Sequence, residues 1–246
     1  FDHLNSQGEK PKYSPGQLRT LQRHIKSWIA ENGPSRKVIF SQNIQPGRQS
    51  QSDWTWMNDL KITIGGKHLE HMVYHFMLPY SCWESVMLCY SESFQTLTQG
   101  YEKAVWELGF IAPEHRTDNL SAATKKHGNT REFTLRWQSF LEHYHVTPSR
   151  NNPGESQENG SVEKSHDLFK SSVNQELLLR GSRNFATIEA YQEFLEAVVA
   201  HRNAGRKGRL SEEIKLLKEL PNAQFDTPEQ LSVRVCSGST INIDKV

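Results

Sequence analysis

The chain has almost no net charge, with 29 Lys and Arg against 28 Asp and Glu for a balance of +1, so any polyanionic partner has to be argued from local patches. It has only three cysteines, Cys82, Cys89 and Cys236. They form no CxxC pair and no even set, which excludes a disulfide framework, fits a reducing compartment and leaves them as packing residues. No apolar run approaches the roughly 18 residues of a membrane span, so the expected location is cytoplasmic with no membrane partner. No GxxxxGK[ST] or GxGxxG run is present, and nucleotide hydrolysis by this chain is not expected. What remains is a 246-residue sequence long enough to bury a substantial core.

Helical and strand-like periods alternate along it. A polar tail precedes a helix from Gln17 to Ala30, on which Leu18, Leu21, Ile25, Trp28 and Ile29 recur at helical spacing. After a linker come SDWTWMND, two strand-like runs divided by Gly65 and Gly66, and WESVMLCYSES. The runs Val73 to Leu78 and Val86 to Tyr90 are apolar on both faces and predict central strands covered by helices. A helix then ends at Gly109, APEHRTDNL predicts a strand and its exit loop, REFTLRWQSFLEHYH a second helix, and VTPSR a short strand. A further helix starts near Gly160 with Val162, Phe169, Val173 and Leu177 on one face. Two more are expected, from Ile188 to Arg202 and from Ser211 to Leu220. The β-like tail is read as the start of a truncated domain, so the chain is expected to be a fragment of a longer protein.

Three acids stand where a strand or helix end could present them. Asp53 lies in the first strand, where aspartate is disfavoured, Asp118 at the exit of the fourth, and Glu163 in the first turn of a helix. Strand ends of an α/β sheet converge on a crevice, so acids remote in sequence can meet there. Three hard oxygen donors suit Mg²⁺ or Mn²⁺. Two such ions, about 3.5–4 Å apart, clamp the attacking and leaving oxygens of a phosphoryl displacement, which is nuclease or strand-transfer chemistry. Each acid also has an ordinary reading: Glu163 as a helix-dipole residue and Asp118 as a turn residue.

The order QSDWTW, three β segments, helix, RTDNL, helix and NPGESQENGSVEKSH resembles the ribonuclease H-like core of DDE transposases and retroviral-type integrases. More narrowly, PGRQSQSDW, DNL and NGSVE resemble the IstA-type insertion-sequence transposases over roughly residues 40 to 205. The resemblance implies an α/β fold, a ribonuclease H-like mixed sheet flanked by helices, and Asp53, Asp118 and Glu163 as a catalytic triad ligating two metal ions. It also implies metal-dependent 3′-end cleavage and strand transfer, double-stranded DNA as partner, a homodimer or higher synaptic assembly, a companion AAA+ ATPase of the IstB type, and a bacterial cytoplasmic setting. The interval from Asp118 to Glu163 is longer than is common in retroviral integrases. Two rivals stay open: a nuclease of the same fold without strand transfer, and a non-catalytic DNA-binding assembly module.

The expected division is a linker and helix at 1–45, the catalytic domain at 46–182, a helical basic linker at 183–226 and the start of a β-barrel-like domain at 227–246. Candidate phosphate contacts are Lys125, Lys126, Lys164 and Lys170 near the acids, and Arg202, Arg206, Lys207 and Arg209 in the linker. Glu155 and Glu158 belong to the amide-rich loop. His68, His71 and His75 recur at three and four residues, but the run is β-prone, which would put His71 and His75 on one side of a strand rather than in a zinc site.

Overall fold

Strand β1 (Gln49–Trp56) occupies the middle of a five-stranded sheet and alternates between two buried faces. It pairs antiparallel with β4 (Met72–Met77), which pairs antiparallel with β5 (Glu84–Cys89). On its other side it pairs parallel with β7 (Glu114–Thr117), which pairs parallel with β10 (Thr147–Arg150). The order β10-β7-β1-β4-β5 with these directions is the ribonuclease H-like mixed sheet expected from the sequence. The structure is a computed structural model and describes residues 14–32, 44–117, 123–127, 130–150 and 160–225. Asp118, Glu155, Glu158, Cys236, the tail from 226 and the side chains of Glu163, Lys125, Lys126 and Arg131 lie outside the described residues.

Because successive strand side chains point to opposite faces, β4 feeds two cores. Met72, Tyr74 and Phe76 join Trp54 beneath α2 (Phe94–Leu108) and α3 (Leu135–His143), in a cluster that includes Leu97, Tyr101, Trp137 and Phe140. Val73 and, from β5, Val86 face the other way, against Phe169, Val173 and Leu177 of α4 (Gly160–Arg180) and Tyr191, Leu195, Val198 and Val199 of α5 (Ile188–Ala204). Helix α2 comes so close to the sheet that a Cβ on Gly100 would lie 2.3 Å from the Tyr74 ring. It starts with a Ser93–Thr96 capping box and ends at Gly109, whose φ of 80° makes the left-handed cap that glycine adopts without strain.

Several expectations change. The run at 131–133, expected as the start of a helix, forms β9 (Thr130–Phe133), paired with β8 (Thr124–His127). The helix begins only after Thr134, whose hydroxyl accepts the Trp137 N–H at 3.3 Å. Apart from Phe133 the two strands are polar, TKKH and TREF, and carry no apolar alternation for a sequence reading to find. Strand β5 is an edge strand, not a central one; its outward N–H groups are covered by α5 side chains, Glu84 N–H donating to Asn203 at 3.1 Å and Leu88 N–H to Gln192 at 3.0 Å.

The helix expected from Ser211 to Leu220 is α6 (Lys207–Ile214), followed by a two-residue strand, β12 (Lys218–Glu219), paired with β6 (Phe110–Ile111). Buried Glu213 of α6 accepts N–H groups from Gly47 at 3.2 Å and Ser81 at 3.1 Å. The stretch expected as a linker therefore packs into the folded body. The first helix, α1 (Pro15–Asn32), forms as expected, but Leu21, Ile25, Trp28 and Ile29 are all exposed. Cys89 is buried as a packing residue, whereas Cys82 is exposed on a turn with φ 60°.

Candidate functional site

Asp53 sits partly exposed at the centre of the sheet, opposite His75 in the β1–β4 register. One of its carboxylate oxygens accepts the Trp54 N–H at 2.8 Å. Its parallel neighbour β7 ends at Thr117, the register partner of Ser52, one residue before Asp53. Helix α4 packs over β1. Glu163 lies in its first turn, one helical turn ahead of His166, whose ring centroid is 5.0 Å from that of His75. The sheet register sets the end of β7 beside Ser52, and α4, which has Glu163 in its first turn, packs over β1, while Asp118 and the Glu163 side chain lie outside the described residues. Among the described residues no group of three or more His, Cys, Asp and Glu could hold a metal. The hard carboxylate of Asp53, half open to solvent on this face, is the donor chemistry that Mg²⁺ or Mn²⁺ takes.

Beneath Asp53 lies a charged network that the sequence reading missed. Glu84 is fully buried and accepts from His75 Nε2 at 2.9 Å, from Arg202 through Nε and through Nη2 at 3.2 Å, and from Arg206 at 2.9 Å. Burial alone would raise the Glu84 carboxyl, but the His75 hydrogen bond and charge, followed by Arg202, outweigh it and hold it down to about 2. His166 is pushed down to about 3 by burial first and then by the neighbouring His75. The network's signal in the sequence was Glu84 itself, the one charge in β5, as Asp53 is the one charge in β1.

The predicted basic residues divide. Arg202 and Arg206 are committed to Glu84, with side chains only 13% and 18% exposed. Lys164, Lys207 and Arg209 are exposed and Lys170 is half-buried; Arg209 lies 5.9 Å from the Tyr80 ring centroid. Lys125 and Lys126 belong to β8. His71 precedes β4 and bonds to Tyr191 at 2.9 Å, on the same sheet side as His75; burial lowers its pKa, only partly offset by the Leu69 carbonyl.

On the opposite face, His115 is held between Ser50 at 2.8 Å and Ser52 at 2.9 Å, and complete burial drives it down to about 3. Among the described residues no helix is long and apolar enough to cross a membrane.

Comparison with solved structures gives the class of fold. The chain is similar to the simian T-cell lymphotropic virus intasome, determined by cryo-electron microscopy in complex with PP2A regulatory subunit B56 gamma. The TM-score is 0.54, at 14% identity over 89% of this chain and 80% of that one. That similarity and the sheet order above establish the ribonuclease H-like fold of integrase cores. The catalytic core domain of HTLV-2 integrase, solved in complex with magnesium in a dimeric form, matches 64% of this chain and 87% of that one at TM-score 0.45 and 18% identity.

Among curated proteins, the chain is 38% identical over 239 residues to the uncharacterized protein y4jA/y4nE/y4sE of Sinorhizobium fredii (strain NBRC 101917 / NGR234), covering 96% of this chain and 47% of that protein. It therefore spans about half the length of this curated relative. No family model matches the chain.

Proposed function

We propose that the chain is the catalytic core of a DDE DNA transposase of the IstA type, which cleaves the 3′ ends of an insertion sequence and transfers them to target DNA. The observation that carries this is the placement of Asp53 on the central strand, with β7 ending beside the preceding Ser52 and helix α4 packed over the same strand. Asp53, Asp118 and Glu163 would hold Mg²⁺ or Mn²⁺, two ions in the fullest form. When bound, the metal neutralises the developing phosphoryl charge and lowers the pKa of the attacking water or hydroxyl. The protein's own part would be to orient the three carboxylates, which requires no serine, cysteine or tyrosine nucleophile.

Lys164 and Lys170 on α4, Lys125 and Lys126 on β8, and Lys207 and Arg209 on α6 are the candidate phosphate contacts, which would position DNA without reading its sequence. A synaptic dimer or larger assembly and a companion ATPase of the IstB type belong to the same reading. The test is joining of a pre-cut transposon end with a free 3′-hydroxyl to a second duplex in Mg²⁺. Joining that survives single alanine substitution of Asp53, Asp118 or Glu163, with DNA binding intact, removes that residue from the site. Cutting without joining turns the reading into a hydrolytic nuclease.

A further inference from the structure

We propose that Arg202 is the positioning residue that sets the first turn of α4 against β1; the inference rests on the DNA-transfer reading above. Its guanidinium reaches two elements at once. Nε and Nη2 hold Glu84 of β5, while Nη1 donates to the Leu168 carbonyl at 2.9 Å and the Ser172 hydroxyl at 2.7 Å, both in α4. Leu168 is five residues past Glu163, about 7.5 Å along the helix. From Glu84 the contact runs on to His75 at 2.9 Å, and His75 both opposes Asp53 in the sheet register and packs against His166 and Phe169 of α4, with ring centroids 5.0 and 5.3 Å away. One arginine on α5 thus links the helix that carries Glu163 to the strand pair that carries Asp53.

The chemistry requires arginine. Its planar fork can serve a carboxylate on one edge and a carbonyl and hydroxyl on another, whereas a lysine ammonium cannot span both. The fully buried Glu84 already neutralises it, and Arg206 adds a second cation on the same carboxylate. This arrangement orients α4 from within the protein and is set apart from the exposed lysines suited to phosphate contact.

The experiment uses Arg202→Met, Arg202→Lys and Ser172→Ala in the full chain. Arg202→Met should raise the Mg²⁺ concentration for half-maximal end joining about tenfold or more, as removal of an orienting group behind a metal ligand does. Arg202→Lys should fail to rescue it, and Ser172→Ala, which removes one α4 contact and keeps the ion pair, should give a smaller shift in the same direction. The salt dependence of DNA binding should not change. In the metal-free protein, amides of the first two turns of α4 should exchange faster with deuterium while those of β1 and β4 do not.

A lower melting temperature with unchanged Mg²⁺ requirement and unchanged α4 exchange makes Arg202 a stabilising residue only and overturns the proposal. A DNA-binding salt slope reduced by about 1 returns it to a phosphate contact and also overturns it. If the unsubstituted protein neither cuts nor joins DNA, the functional reading fails, and the exchange data alone decide whether Arg202 positions α4.

Discussion

The two faces of the sheet use the same strand differently. Under α2 and α3, β4 presents Met72, Tyr74 and Phe76 to an aromatic cluster in which Tyr101 touches Phe76, Trp137, Phe140 and Tyr144 edge-on. The buried polar groups there include His115, shared between two serines, and Glu102, which accepts from the Tyr144 hydroxyl at 2.5 Å. Under α4 and α5, the same strand presents Val73 to a mixed aliphatic and aromatic core with Phe169, Val173, Leu177 and Tyr191, and His75, the register partner of Asp53, to the Glu84–Arg202 network. The aromatic face removes apolar area from water and carries stability; the other gives up part of that area to charges that tie α4 to the sheet. Buried charges of this kind contribute little net stability, so their worth has to be looked for in geometry.

Substitutions can break this division of labour. The largest effect should come from Asp53→Asn, which keeps shape and removes charge: joining should fall about a thousandfold, roughly 4 kcal/mol of transition-state stabilisation, with the urea midpoint almost unchanged. On the aromatic face, Trp137→Ala should cost about 3–5 kcal/mol of stability by equilibrium unfolding, because the ring is fully buried and stacked 5.3 Å from Phe140. Gly100→Ala should cost about 2 kcal/mol through its clash with Tyr74, with joining per folded molecule preserved.

Acid compares the faces directly. His115 and His166 are both held near 3 against an ordinary value of 6.5, so each is neutral when folded and takes up a proton on unfolding. Their contribution is fully present above pH 6.5 and is lost as pH falls toward 3, at about 1.4 kcal/mol per pH unit for each imidazole. Unfolding measured from pH 7 to 4.5 should lose one such slope in His115→Gln and the other in His166→Gln. Equal slopes in all three proteins would show that neither imidazole is held neutral. The smallest effect is Lys170→Ala, which should weaken DNA binding alike for all sequences and lower its salt slope by about 1.

Legibility in the sequence followed physical locality. Helices α2, α4 and α5 were readable because their apolar residues recur at helical spacing, and the end of α2 because Gly109 marks it. Asp53 stood out because aspartate is unfavourable in a strand. The β8–β9 pair was unreadable since TKKH and TREF carry no apolar alternation, and the helix start moved to Thr134 for the same reason. Arg202 and Arg206 looked like surface charge within HRNAGRKGR, because nothing local marks a guanidinium whose carboxylate lies 118 residues away.

The sequence by itself therefore determined the five strands of the main sheet, the long helices and the residue types that could bind metal, all of which depend on spacing within one element. Only the tertiary structure decided that β5 is an edge strand closed by α5, that His75 opposes Asp53, and that Arg202 joins α4 to the sheet. Those depend on register and crossing between distant elements, where burial turns a generic charge into a partner for one particular group.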